Sequence, residues 1–208
     1  MKYRAMADSI ARAVDDLFDV TSGLFLASSG LENVPDVFGS AYLVTLGLSS
    51  PTRRLAVSTF LSSQWHIATS RADSKEDKFG NTTCIFQEGQ VRHLPYPLAW
   101  KKCWHHPHFV GLDRTYCPAL GTYQNGAFWA TPLNWVLPAL VANHFTAEAV
   151  AIAAAAISSF QTGGIMEAIN RDMNYTGVRD YVASACNVLG ALTPRVQVER
   201  GGGTVDGV

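Results

Sequence analysis

Charge is what this sequence has least of. Only 16% of its 208 residues are Asp, Glu, Lys or Arg, well below the usual quarter, and the formal net charge is −1. With a pI near 6.6 there is no basic surplus, so a nucleic-acid partner is not expected. Long hydrophobic runs are also missing. The longest candidate, residues 147–157, is interrupted by Glu148 and falls short of the ~20 residues of a membrane span. The first eight residues, Met1-Lys2-Tyr3-Arg4-Ala5-Met6-Ala7-Asp8, contain no apolar core for a signal peptide. The four cysteines (Cys84, Cys103, Cys117, Cys186) form no CxxC pair and read as reduced thiols of a cytoplasmic protein. No unit of 20–50 residues repeats, which argues against a solenoid. Hydrophobic residues make up 48%, enough to exclude disorder for most of the length. One domain over residues 1–195 is expected, followed by a disordered tail, 196–208, around Gly201-Gly202-Gly203.

Helical periodicity dominates the rest. Residues 5–18 predict an amphipathic helix with Ile10, Ala13, Val14 and Leu17 on one face. Pro35-Asp36 opens a second helix, 37–46, that carries no charge. Ser50-Pro51 reads as N-cap and first position of a third helix, to about 65. Residues 69–89 predict an exposed loop and 89–97 a short extended piece. A fourth charge-free helix is expected over 126–142, kinked near Pro138, and a fifth over 146–163 capped by Thr146. Residues 165–181 predict a loop leading to a charge-free sixth helix, 182–192, with Asp180 as its N-cap. Charge-free helices two, four and six alternating with amphipathic helices one, three and five predict an all-α fold. Its inner helices would line a ring and its outer helices would cover it.

The polar groups with chemical potential cluster before the inner helices. Asp36 precedes helix two, Tyr123-Gln124-Asn125-Gly126 precedes helix four, and Arg179-Asp180-Tyr181, with Glu167 upstream, precedes helix six. Parallel inner helices would bring these groups to one end of the ring, where helix N-termini also present free N–H groups. The histidine-rich stretch His105-His106-Pro107-His108 with Cys103 fits no standard zinc spacing, so neither metal nor other cofactor is expected.

Four strings then become recognisable in order: Pro35-Asp36-Val37-Phe38-Gly39-Ser40-Ala41, Gly89-Gln90-Val91-Arg92-His93-Leu94-Pro95, Gly121-Thr122-Tyr123-Gln124-Asn125-Gly126-Ala127-Phe128-Trp129 and Tyr181-Val182-Ala183-Ser184-Ala185. Over about residues 10–192 the chain resembles the C-terminal part of six-hairpin glycosidase-like proteins. The resemblance implies a partial (α/α)6 barrel of about three helical hairpins with long loops. It also implies a sugar site at one end of the inner ring and a homo-oligomer joined through the open barrel edge. The implied reaction is glycosidic hydrolysis, with inversion favoured over retention. Such hydrolysis needs two carboxyl groups flanking the scissile bond. The candidates are Asp36, suited to a base beside a helix N-terminus, and Glu167, whose apolar neighbours Met166, Ala168 and Ile169 suit an acid. Asp36 reads equally well as a plain N-cap, and Glu167 as a structural carboxylate. Tyr123 and Trp129 would stack on sugar faces. Gln124 and Asn125 would meet hydroxyl groups. Arg92 and His93 would reach the same site or pin a loop. Two alternatives stand beside hydrolysis: a non-catalytic carbohydrate-binding remnant, and a sugar isomerase or epimerase for which His93 is the well-placed histidine.

Overall fold

The computed structural model describes residues 2–28, 33–71, 84–95, 98, 121–170 and 175–193. The histidine-rich stretch, Cys103, Cys117 and the expected tail lie outside the described residues. So does most of the loop expected over 69–89. The elements run α1 (Lys2–Asp15), β1 (Phe18–Asp19), β2 (Leu24–Phe25), α2 (Val37–Leu46), α3 (Pro51–Arg71), β3 (Phe86–Gln87) and β4 (Gln90–Arg92). A single 3-10 turn (Tyr123–Asn125) follows, then β5 (Phe128–Trp129), α4 (Leu133–Ala142), α5 (Thr146–Gly163), β6 (Met166–Ile169), β7 (Tyr175–Arg179) and α6 (Val182–Leu192).

The strands overturn the all-α expectation, and with it the partial (α/α)6 barrel. β3 to β7 form a five-stranded antiparallel sheet in sequential order, and β1 pairs with β2, so the fold is mixed α/β. The reason is local. These strands are two to five residues long, too short to display an alternating pattern. Met166, Glu167 and Ala168 even favour helices intrinsically, and their pairing with β7 overrides that preference. The fourth helix starts at Leu133 rather than 126 because Gly126 (φ 117°) is left-handed and Phe128 and Trp129 pair with β4. Asp180 does not cap α6. It has φ 53°, and the N-cap position belongs to Tyr181, which makes no side-chain cap bond. Thr146 is likewise inside α5, whose N-cap position is Phe145.

Of the three charge-free helices only α4 is covered on both sides; α2 and α6 are not the inner helices their composition predicts. α4 lies between α2 and α6, while α3 packs on α2, α4 and α5, and α5 on α4. Leu133, Val136, Leu137, Ala139 and Leu140 of α4 are buried, as are Val57 and Leu61 of α3 and Ile152, Ala153 and Ala156 of α5. Each fully buried Leu, Ile or Val contributes roughly 1.5–3 kcal/mol, so α4 is the main structural support of the helical layer. Polar links fix the helix register. Ser58 Oγ donates to Ala139 O (2.8 Å), Thr45 Oγ1 donates to Trp135 O (2.9 Å), and Asn143 Nδ2 donates to Ser58 Oγ (3.0 Å). α2 and α6 stand at the two ends of the row. Tyr42 and Leu46 of α2, and Val182, Leu189 and Leu192 of α6, remain exposed. Among the described residues no helix is long and apolar enough to cross a membrane.

The sheet meets the helices through β3 on α3, β6 on α6 and a tight hairpin that rests on α5. Gln87 pairs with Gln90 across Glu88 (φ 50°) and Gly89 (φ 74°), two left-handed residues of the kind that closes a two-residue hairpin. Gly89 rests on the backbone of α5: a Cβ there would lie 2.5 Å from Ile152 O and against Ala156 N. Ser159 Oγ donates to Glu88 Oε2 (2.7 Å) beside it.

Gly89→Ala is therefore expected to lose clearly more stability than Gly47→Ala. Gly47 is the left-handed C-cap of α2 (φ 67°), where a Cβ would meet only the flexible end of Arg54 at 3.6 Å. The Gly47 change should cost about 1–2 kcal/mol from backbone strain alone. Urea unfolding midpoints measure both. Equal losses would mean that the hairpin does not rest on α5.

Candidate functional site

The candidate residues form two clusters, one beside the N-terminus of α2 and one around the turn before β5. The first begins at Asp36. Its extended backbone (φ −109°, ψ 111°) bridges β2 and the exit of β4: Asp36 N–H donates to Phe25 O (2.8 Å) and Val37 N–H to His93 O (2.9 Å). The side chain caps α2, with Oδ1 accepting from Gly39 N–H (3.0 Å). His93 Nε2 lies 3.0 Å from the same oxygen. The imidazole is stacked on Phe38, with centroids 4.6 Å apart and planes 12° from parallel. Both Asp36 and His93 keep part of their side chains accessible.

The second cluster is built on the turn before β5. Gly121 N–H donates to Asn125 O, Asn125 N–H to Thr122 O and Ala127 N–H to Tyr123 O, each at 2.9 Å, so the turn closes on itself. Below it lies Arg92, 1% exposed, with its Cζ 5.8 Å from the centroid of the Phe128 ring. Gly126 sits directly on this guanidinium: a Cβ at 126 would be 3.3 Å from Cζ and closer still to Nη2. Asn125 is also buried. The turn pushes Tyr123 into a left-handed conformation (φ 41°), a strain of about 1–3 kcal/mol for a bulky residue. Tyr123 N–H donates to Asn170 Oδ1 (3.1 Å), and its hydroxyl donates to Glu167 Oε1 (3.1 Å). Trp129 leans on the Tyr123 ring at 5.2 Å and 57°.

Glu167 is held from the other side by β7. The register shifts between Met166↔Arg179 and Ala168↔Thr176, which makes a bulge with left-handed Gly177 (φ 79°). Gly177 is where Glu167 lies: a Cβ at 177 would be 2.7 Å from Glu167 Cβ and would overlap Oε2. The next residue's N–H, that of Val178, donates to Oε2 (3.0 Å). Each oxygen of Glu167 thus carries a donor, and the carboxylate faces the Tyr123 ring.

Asp36, His93, Arg92, Tyr123, Asn125, Trp129 and Glu167 are all placed by this sheet and its connections. Gln124 is the middle residue of the 3-10 turn, and its side chain lies outside the description. Asp36 and His93 form one contact pair, and Tyr123, Trp129 and Glu167 another. β5 lies between the strands that carry them, so β4 and β6 are about 10 Å apart across the sheet. Arg92 is beneath the turn rather than at its surface. Three contributors escaped the sequence reading: Gly177, Val178 and Asn170. A bulge glycine has a signal only when its strand is recognised, and residues 175–179 carry no readable strand period. Among the described residues no three His, Cys, Asp or Glu side chains group in a way that could hold a metal.

Tyr123 loses its proton only above the ordinary tyrosine range. Burial contributes most, followed by the charge and hydrogen bond of Glu167 and the neighbouring Tyr181. The folded state holds this proton more tightly than the unfolded chain. Its stabilising contribution is therefore complete below about pH 10 and is lost as pH rises through the folded value. Phenolate absorbance, taken as the difference between wild type and Tyr123→Phe, should show this late ionisation. Glu167→Gln should bring it back towards the usual value, and an unchanged curve would rule out the Tyr123–Glu167 contact. No family model, curated protein or solved structure matches this chain.

Proposed function

We propose that this protein is carbohydrate-active and of the glycoside-hydrolase type. A sugar ring would bind against Tyr123 and Trp129, with Glu167 accepting from its hydroxyl groups. The observation that carries this reading is the contact of a part-exposed tyrosine ring, tilted against Trp129, with a carboxylate fixed on both oxygens. A sugar has an apolar ring face and a rim of hydroxyl donors, and this pairing of aromatic surface with a fixed acceptor complements both. The resemblance to six-hairpin glycosidase-like proteins in four ordered strings supports the same class, although their barrel is not the fold found here.

In this reading Asp36, as a carboxylate, is the base that takes a proton from the attacking water, and Glu167, in its protonated form, is the acid that gives one to the leaving oxygen of the glycosidic bond. In an inverting enzyme they would stand roughly 6.5–9.5 Å apart across the bound sugar, with a water between substrate and base. The protein side of the reaction is orientation. Asp36 is fixed by the α2 N-terminus and His93, and Glu167 by Tyr123 and Val178. Cys84, whose buried thiol donates to Gln64 O (3.0 Å), and Cys186 are reduced, which suits a cytoplasmic setting.

Hydrolysis of chromogenic aryl glycosides and of short oligosaccharides tests the reaction, and saturation-transfer NMR with the same sugars tests binding. Asp36→Asn and Glu167→Gln should each abolish turnover while leaving sugar bound, since each amide keeps the shape and loses the charge. Trp129→Ala should weaken binding by roughly 1–2 kcal/mol. Binding without hydrolysis in the wild type would establish the non-catalytic carbohydrate-binding alternative. Absence of both would end the carbohydrate reading.

A further inference from the structure

We propose that His93 is a positioning residue for Asp36: it holds Oδ1 against the start of α2, so that the carboxylate offers Oδ2 to the substrate. The inference rests on the hydrolytic reading above and assigns a division of labour within it.

A carboxylate oxygen has two lone pairs to give. Asp36 Oδ1 meets two donors, Gly39 N–H at 3.0 Å and His93 Nε2 at 3.0 Å. That oxygen is fully engaged, so a proton exchanged with substrate or water passes through Oδ2. The surroundings of Oδ2 fit this assignment. It lies over Gly39, where a Cβ would come within 2.6 Å of it, so the absence of a side chain at 39 keeps that oxygen clear. Gly39 stands in the first turn of α2, where its N–H makes the cap bond, a contact that does not itself require glycine. The imidazole is itself well anchored. Its ring lies flat on Phe38, and its backbone carbonyl accepts from Val37 N–H (2.9 Å). Phe38, Val37 and Asp36 are consecutive, so ring, carbonyl and Nε2 of His93 grip one short segment at three points. A plain N-cap needs only the Gly39 contact; the His93 carbonyl satisfies the free N–H of Val37 at the helix start, while the Nε2 contact and the Phe38 stack go beyond capping.

The contact requires the neutral ring to carry its proton on Nε2, because Nε2 must donate to the carboxylate. Long-range proton–nitrogen NMR on the full chain reads this tautomer directly. The Nε2–H form is expected in the wild type, and its excess should vanish in Asp36→Ala. An Nδ1–H ring in the wild type would overturn the proposal. Kinetics on the aryl glycosides supply the functional readout. His93→Phe keeps a ring to stack on Phe38 and loses the donor, so kcat should fall by up to roughly 100-fold with KM nearly unchanged. His93→Gln can place an amide N–H near the same point and should recover much of that loss. Gly39→Ala should improve helix propensity yet also lower kcat. Full kcat in His93→Phe, or a Gln variant no better than Phe, would overturn the positioning role. If the wild type hydrolyses nothing, the hydrolytic reading falls, and the tautomer alone then decides whether His93 holds Asp36.

Discussion

A guanidinium with 1% of its residue surface exposed is the constraint on which the Tyr123 side of this site depends. A charged group of that size is tolerated in an interior only where its surroundings are fixed in detail. Arg92 meets that condition at the end of β4, over the ring of Phe128 and directly beneath Gly126. Any side chain at 126 would displace it. The turn above is consequently held in one shape, with Gly121, Tyr123 and Gly126 all left-handed. The orientation of the Tyr123 ring, and through it the setting of Glu167, follows from what is packed below.

The two carboxylates illustrate different ways to immobilise one chemistry. Asp36 uses a helix N-terminus, a device encoded within four residues of sequence. Glu167 uses a strand bulge and a tyrosine 44 residues away in sequence. The first survives as long as α2 forms. The second exists only when β5, β6 and β7 have assembled. Strain at Tyr123 belongs to the same picture: a non-glycine residue at φ 41° persists where the surroundings over-determine it, and such residues concentrate at functional sites.

Among the helices, α4 plays the part that Arg92 plays for the turn. It touches α2, α3, α5 and α6, and most of its apolar side chains are buried. The charge-free composition of helices two, four and six marks what can be buried rather than what is. α4 is flanked on both sides, whereas α6 at the end of the row buries Ser184 and Val188 and leaves Val182, Leu189 and Leu192 in solvent.

What the chain by itself determined are the features whose causes are local. The span of α2 follows from Asp36 as cap and Gly47 as stop, the start of α3 from Ser50-Pro51, and the span of α6 from a charge-free, mostly apolar run. The residue types of the candidate site were legible too, because Asp, Glu, Tyr, Trp and His stand out near turns. Tertiary structure alone decided the sheet, since strands of two to five residues carry no readable period and Met-Glu-Ala leans towards helix until β7 pairs with it. It also decided the partners. Asp36 with His93 and Tyr123 with Glu167 are contacts between residues 57 and 44 positions apart. Sequence spacing specifies side chains within one turn of a helix or one strand, and only the closed sheet specifies which of them meet.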